Sequence, residues 1–113
     1  MSPKLQTAFA TEMMLSSKAY AASDWDRAFH HLERAHILGQ REFSPHLKTH
    51  YGMLKIGFLR RDWREVVGQV LRIMAVFPAS LFGWVPIGNT GGANVSALKP
   101  MAIPEDLARL FED

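Results

Sequence analysis

The sequence predicts an all-α protein: four helices in two helix-turn-helix hairpins, then an irregular glycine- and proline-rich segment and a short terminal helix. Three observations predict it. Apolar side chains recur every three to four residues from Leu5 to Phe77, the period of helices that bury one face. The doublets Asp24-Trp25 and Asp62-Trp63 stand 38 residues apart, each between two helical patterns, so one helix-joining unit occurs twice. After Pro78 the periodicity gives way to glycine, asparagine and proline. One domain is expected over residues 1–113, with paired hairpins at 1–78 and a packing segment at 79–113.

Each element follows from local signals. Residues 4–22 carry Leu5, Ala8, Phe9, Met13, Leu15, Ala19 and Tyr20 at helical spacing, and Ser2-Pro3 is a start signal. Ser23-Asp24 breaks the chain and caps a second helix over residues 24–38, with Trp25, Ala28, Phe29, Leu32, Ala35, Ile37 and Leu38. Gly39 is expected to end it in the left-handed conformation. Ser44-Pro45 opens a third helix to about residue 60. Asp62 caps a fourth, expected to stop at Phe77 before Pro78. In each hairpin the tryptophan is expected to wedge where the helices diverge. Leu81, Phe82, Trp84, Val85 and Ile87 are expected to pack the tail onto the helices, and Pro104-Glu105-Asp106 starts a terminal helix through Leu107, Leu110 and Phe111.

Composition excludes several function classes. The chain has 113 residues and 48% apolar content, enough for one core. It has no cysteine, so disulfides, thiolate metal sites and cysteine nucleophiles are out. Its formal charge of +2 is too mild for nucleic acid, and Asp62 and Glu65 interrupt the cluster Arg60-Arg61-Arg64. No apolar run reaches the roughly 18 residues of a membrane span, and residues 1–14 lack a signal peptide's apolar core. A cytoplasmic location is expected.

One constellation carries metal chemistry. Glu33 and His36 are spaced i,i+3, and His46 and His50 i,i+4, so on helices each pair shares a face. The turn Gly39–Pro45 lies between them and would bring all four together. Imidazole and carboxylate are good ligands for zinc, copper, nickel or iron. A Glu-x-x-His step also occurs in helical di-iron proteins, but only one is present here, so a mononuclear site is expected. Glu12 is a candidate further ligand or outer partner; adjacent His30 and His31 point about 100° apart and are left out. Against this stands the reading of Glu33 as a surface ion-pair partner of Arg27 or Arg41, and of the histidines as lining for the joint between two repeats.

The glycine-rich stretch Gly88–Gly92 lacks the lysine and hydroxyl of a phosphate loop, so it is expected to be a tight turn held by Asn89 and Asn94, or a lid over the histidines. No serine sits in a nucleophile elbow, and the chain is read as a binding protein rather than an enzyme. An enzyme using the histidines as its metal centre is the lesser alternative.

Two resemblances add to this. The first hairpin, with Tyr20, Asp24-Trp25, Ala28 and Ala35, resembles a tetratricopeptide repeat in shape, which implies a bundle or short superhelix and a protein-interaction module with a protein partner or a homodimer. The second hairpin departs from that pattern at Ile73. The block Leu32–Gln40, with His46, His50, Arg61-Asp62, Gly68-Gln69, Gly88-Asn89-Thr90-Gly91-Gly92 and Lys99-Pro100-Met101, resembles a family of small bacterial proteins catalogued as a domain of unknown function and marked by Gly-Asn-Thr-Gly. That resemblance implies a bacterial cytoplasmic protein with no assigned activity, often encoded near heavy-metal resistance genes.

Overall fold

The computed structural model describes residues 1–112. Four long helices follow one another: α1 (Pro3–Ala21), α2 (Trp25–Gly39), α3 (Phe43–Leu59) and α4 (Trp63–Phe82). A four-residue helix, α5 (Glu105–Ala108), runs into a 3₁₀ turn at Arg109–Phe111. Each long helix packs on the next, and no strand forms among the described residues. No helix is long and apolar enough to cross a membrane.

The α1–α2 and α3–α4 joints are one structure built twice. Ser23 and Arg61 both adopt positive φ, 57° and 55°. The next residue returns its N–H five residues back, Asp24 to the Ala19 carbonyl and Asp62 to the Gly57 carbonyl, each at 2.9 Å. This closes the end of the preceding helix in a Schellman-like turn. The same aspartate then caps the following helix: Asp24 accepts from the Arg27 N–H and Asp62 from the Glu65 N–H. The tryptophan stacks edge-on against the aromatic residue five positions earlier, Trp25 on Tyr20 and Trp63 on Phe58.

The two joints differ in burial. Trp25 packs against Ala19, Ala28, Leu32, Met53 and Ile56, the core shared by α1, α2 and α3. Trp63 is 55% exposed, so the expectation of a wedged tryptophan holds for the first hairpin only. α4 has one face on α3 while its other face looks outward, and Trp63 sits at the edge of that outward face.

A second cluster joins Ile37 and Leu38 at the end of α2 to Leu107, with Leu5, Phe9, Ile103, Leu110 and Phe111 around it. The tail therefore does pack on the helices, but through its last residues. Leu81, Phe82, Trp84 and Ile87, expected to do this, are exposed.

Two boundary expectations are corrected. α4 does not stop at Phe77; it passes through Pro78 to Phe82 and ends where Gly83 takes φ 71°. Proline removes one intrahelical donor and crowds one carbonyl, at a cost of about 3 kcal/mol. The residues after it remain helix-compatible, and glycine five positions on supplies the left-handed stop. Gly39, in turn, is not a left-handed terminator, since α2 runs into Gln40 with right-handed angles. A side chain at Gly39 would lie 2.7 Å from the Pro45 Cβ and 2.9 Å from the Phe9 ring, so close packing requires glycine there.

Candidate metal centre

The α2–α3 joint is unlike the other two. Glu42 precedes α3 without a side-chain cap, and Gln40 is buried, donating to the Pro86 carbonyl at 2.6 Å. This joint keeps one backbone bond of its own, from the Glu42 N–H to the Gly39 carbonyl, and is otherwise held from outside, by the N-terminal amine on Glu42 and by the C-terminal segment on Gln40.

Around it His36, His46 and His50 come together, all buried, with ligand-capable atoms within 4.8 Å of one another. His36 comes from the last turn of α2, and His46 and His50 from successive turns of α3. Their ring centroids form a nearly equilateral triangle with sides of 4.7, 4.7 and 4.8 Å. The Nε2 atoms face inward: His50 Nε2 lies 3.2 Å from His36 Nε2 and 3.0 Å from His46 Nε2.

The outer nitrogens determine which tautomers are present. His36 Nδ1–H donates to the Asn89 carbonyl at 2.6 Å. His50 Nδ1–H donates to Gln69 Oε1 at 2.7 Å. The Gln69 amide is oriented by two acceptors on its other side, the Glu65 carboxylate at 2.7 Å and the Gly91 carbonyl at 2.9 Å, so its oxygen must face the histidine. Neutral His36 and His50 thus both carry their proton on Nδ1. Their Nε2 lone pairs face each other at 3.2 Å with no proton between them. His46 Nδ1 is buried without a partner.

Burial holds the rings neutral. It pushes the His46 and His50 pKa values down to about 4, and that of His36 well below its ordinary range, with the neighbouring histidines acting in the same direction on His36 and His46. Neutral imidazole is the ligating form. Outward bonds from two of the three rings to a carbonyl and an amide are the kind of outer support that orients histidine ligands. A cation about 2.0–2.1 Å from nitrogens at this spacing would see N–metal–N angles of about 100°. The three histidines could therefore hold a metal ion.

Glu33 does not join them. It is half-buried in a separate cleft with Asp26, Arg60 and Glu65, where desolvation and then the Glu65 carboxylate raise its pKa. Glu12 is also elsewhere, bridging His31 at 2.7 Å and Arg34 at 2.9 Å; Arg34 also pairs with Asp106. The glycine loop does lie against the histidines. Asn89 holds it, accepting from the Gly91 N–H and donating to the Ser96 and Lys99 carbonyls. Gly91, at φ 87°, packs so tightly on the His36 ring that a Cβ would lie 2.7 Å from it. Asn94 is exposed and takes no part.

Sequence reasoning missed Gln69 and the Asn89 carbonyl as outer partners. The signal for Gln69 was present, since it is a polar residue inside the apolar run Val66-Val67-Gly68-Gln69-Val70-Leu71. A cavity of about 190 Å³ opens onto the three neutral histidines, walled by Val76, Ala79, Trp84, Val85 and Leu98, with Arg72 as the only charged side chain in its lining among the described residues.

A family model described as a protein of unknown function (DUF3703) matches residues 3–111. The chain belongs to that family. No curated protein and no solved structure matches it. Membership in DUF3703 assigns no activity, so functional argument rests on the site.

Proposed function

We propose that this DUF3703 protein binds one divalent transition metal ion (zinc, copper, nickel or iron) in the cytoplasm, through Nε2 of His36, His46 and His50, and serves in metal handling or resistance. One observation carries the reading: the unprotonated Nε2 atoms of His36 and His50 face each other at 3.2 Å, both tautomers being set by outward bonds, with His46 Nε2 a further 3.0 Å from that of His50. Facing lone pairs repel, and a shared cation turns that repulsion into coordination. Three nitrogen ligands without thiolate suit this group of metals. Glu33 is not needed as a ligand; its carboxylate lies in the neighbouring cleft. The test is calorimetric metal titration of protein purified without a histidine tag. Wild type should bind one equivalent, and a His36→Ala/His46→Ala variant should lose at least about a hundredfold in affinity, the scale of losing ligands and their oriented support. Equal binding by the two proteins ends the proposal.

A second reading, a tetratricopeptide-like protein-interaction module, is favoured by a specific feature of α4. Trp63, Val67, Val70, Met74, Phe77 and Leu81 are all exposed, at spacings of 4, 3, 4, 3 and 4. That is a heptad seam without a partner, and a second copy would supply a matching one. Sedimentation should then show a dimer that Val70→Glu/Met74→Glu converts to monomer; a wild-type monomer at all concentrations counts against it.

A further inference from the structure

The cavity beside the three histidines carries a charge imbalance. Three imidazoles are neutral ligands, so a divalent ion held by them keeps its full charge. The Arg72 guanidinium lines the same cavity. It donates to the Gly68 and Val95 carbonyls, which are neutral, and makes no ion pair among the described residues. Its Nε is buried without a partner. Among the described residues no carboxylate lines the cavity. The nearest one in the hydrogen-bond network, Glu65, is reached only through Gln69, and it is already occupied by the Gln69 amide and the Ala93 N–H. Net positive charge beside apolar walls is costly unless an anion enters.

The walls describe the rest of that anion. Val76, Ala79, Trp84, Val85 and Leu98 offer mostly apolar surface, and the one side-chain amide in the lining among the described residues, that of Asn89, is already taken up by the Gly91 N–H and the Ser96 and Lys99 carbonyls. The volume, about 190 Å³, exceeds the roughly 150 Å³ of an apolar protein cavity that admits benzene. With three protein ligands, a tetrahedral ion has one coordination position left, and among the described residues no carboxylate lines the cavity to fill it.

Resting on the metal reading above, we infer that the site takes a small organic monoanion. Its carboxylate fills the metal's fourth position near Arg72, and a compact aromatic or branched aliphatic body lies against Trp84, Val85 and Leu98. An inorganic monoanion would offset one positive charge, as an organic one does, but leave the apolar walls empty. A larger polyanion would answer neither the size nor the lining.

The experiment uses the zinc-loaded full chain, with zinc content measured by elemental analysis on the same sample. Benzoate, acetate and neutral benzamide are titrated by calorimetry. Benzoate should bind one to one, at least about tenfold tighter than acetate, benzamide, or benzoate with metal-free protein, a difference of about 1.4 kcal/mol. Ala79→Phe, which fills the cavity, should abolish the preference for benzoate over acetate while zinc content stays at one equivalent. Arg72→Met should weaken both acids together. Equal affinity for benzoate and acetate, or equal benzoate affinity with and without zinc, overturns this inference and leaves the metal reading standing. A protein that takes up none of zinc, copper, nickel and iron overturns both.

Discussion

The outer joints and the middle joint of this chain solve the same problem in opposite ways. At Asp24 and Asp62 the turn satisfies itself: backbone N–H groups return to the preceding helix, and the aspartate caps the next one. At Gln40–Glu42 no side chain caps the incoming helix, and Gln40 is tied to Pro86, 46 residues away. The self-sufficient joints hold no histidine. The dependent joint carries three buried histidines whose outer partners, Gln69 and Asn89, come from α4 and the loop that follows it. A joint closed by local bonds leaves few polar groups to recruit distant partners. A joint left open is finished by the rest of the fold, and a site can be built there.

That contrast can be broken by mutation. The largest effect should come from Gly91→Ala at the middle joint, where a Cβ would enter the His36 ring and φ is 87°. A loss of about 3 kcal/mol in urea denaturation is expected from overpacking plus the left-handed penalty. A change smaller than an Asp cap removal would show that the loop is not packed as described.

The second effect is pH dependence of the metal-free protein. His46 and His50 have folded pKa values of about 4 against 6.5 when exposed. The unfolded chain therefore takes up protons first as pH falls. Stability is fully present above about 6.5 and declines through that window towards 4. Denaturation midpoints across this range should slope steeply in wild type and much less in His46→Gln/His50→Gln. Parallel slopes would place the titrating groups elsewhere.

Next, the two tryptophans separate the outer joints from each other. Trp25→Ala should cost about 2–3 kcal/mol, because it opens the core beside Met53 and Ile56. Trp63→Ala should cost under about 1 kcal/mol, since that ring is mostly exposed. If α4 is covered in solution by a second copy, the Trp63 loss grows with protein concentration. The caps are small effects too: Asp24→Ala and Asp62→Ala should each cost about 1 kcal/mol and nearly equally, as the joints are locally the same. Unequal cap losses would mean that tertiary burial reaches into the turns.

Legibility in the sequence followed the range of the interaction. Helix starts at Ser2-Pro3, Asp24 and Asp62 were legible because a cap bonds within three residues. The i,i+4 pair His46 and His50 was legible for the same reason. Glu33 was misplaced because i,i+3 positions differ by about 60° around the helix, enough to send one side chain to the histidines and the other into the cleft with Glu65. Pro78 misled because the local cost of proline is real, while the helix on either side of it continues to Gly83.

The sequence by itself determined the all-helical fold, the two locally matching joints and the His46–His50 pair, since these depend on periodicity, capping and spacing within a few residues. Only the tertiary structure decided that His36 meets His46 and His50, which acids stay away from the histidines, which tautomers they adopt, that Gln69 and Asn89 hold them, and that one tryptophan is half-buried while its twin is exposed. The physical reason is that hydrogen-bond partners 19 and 53 residues apart, and burial itself, depend on where whole helices lie against one another.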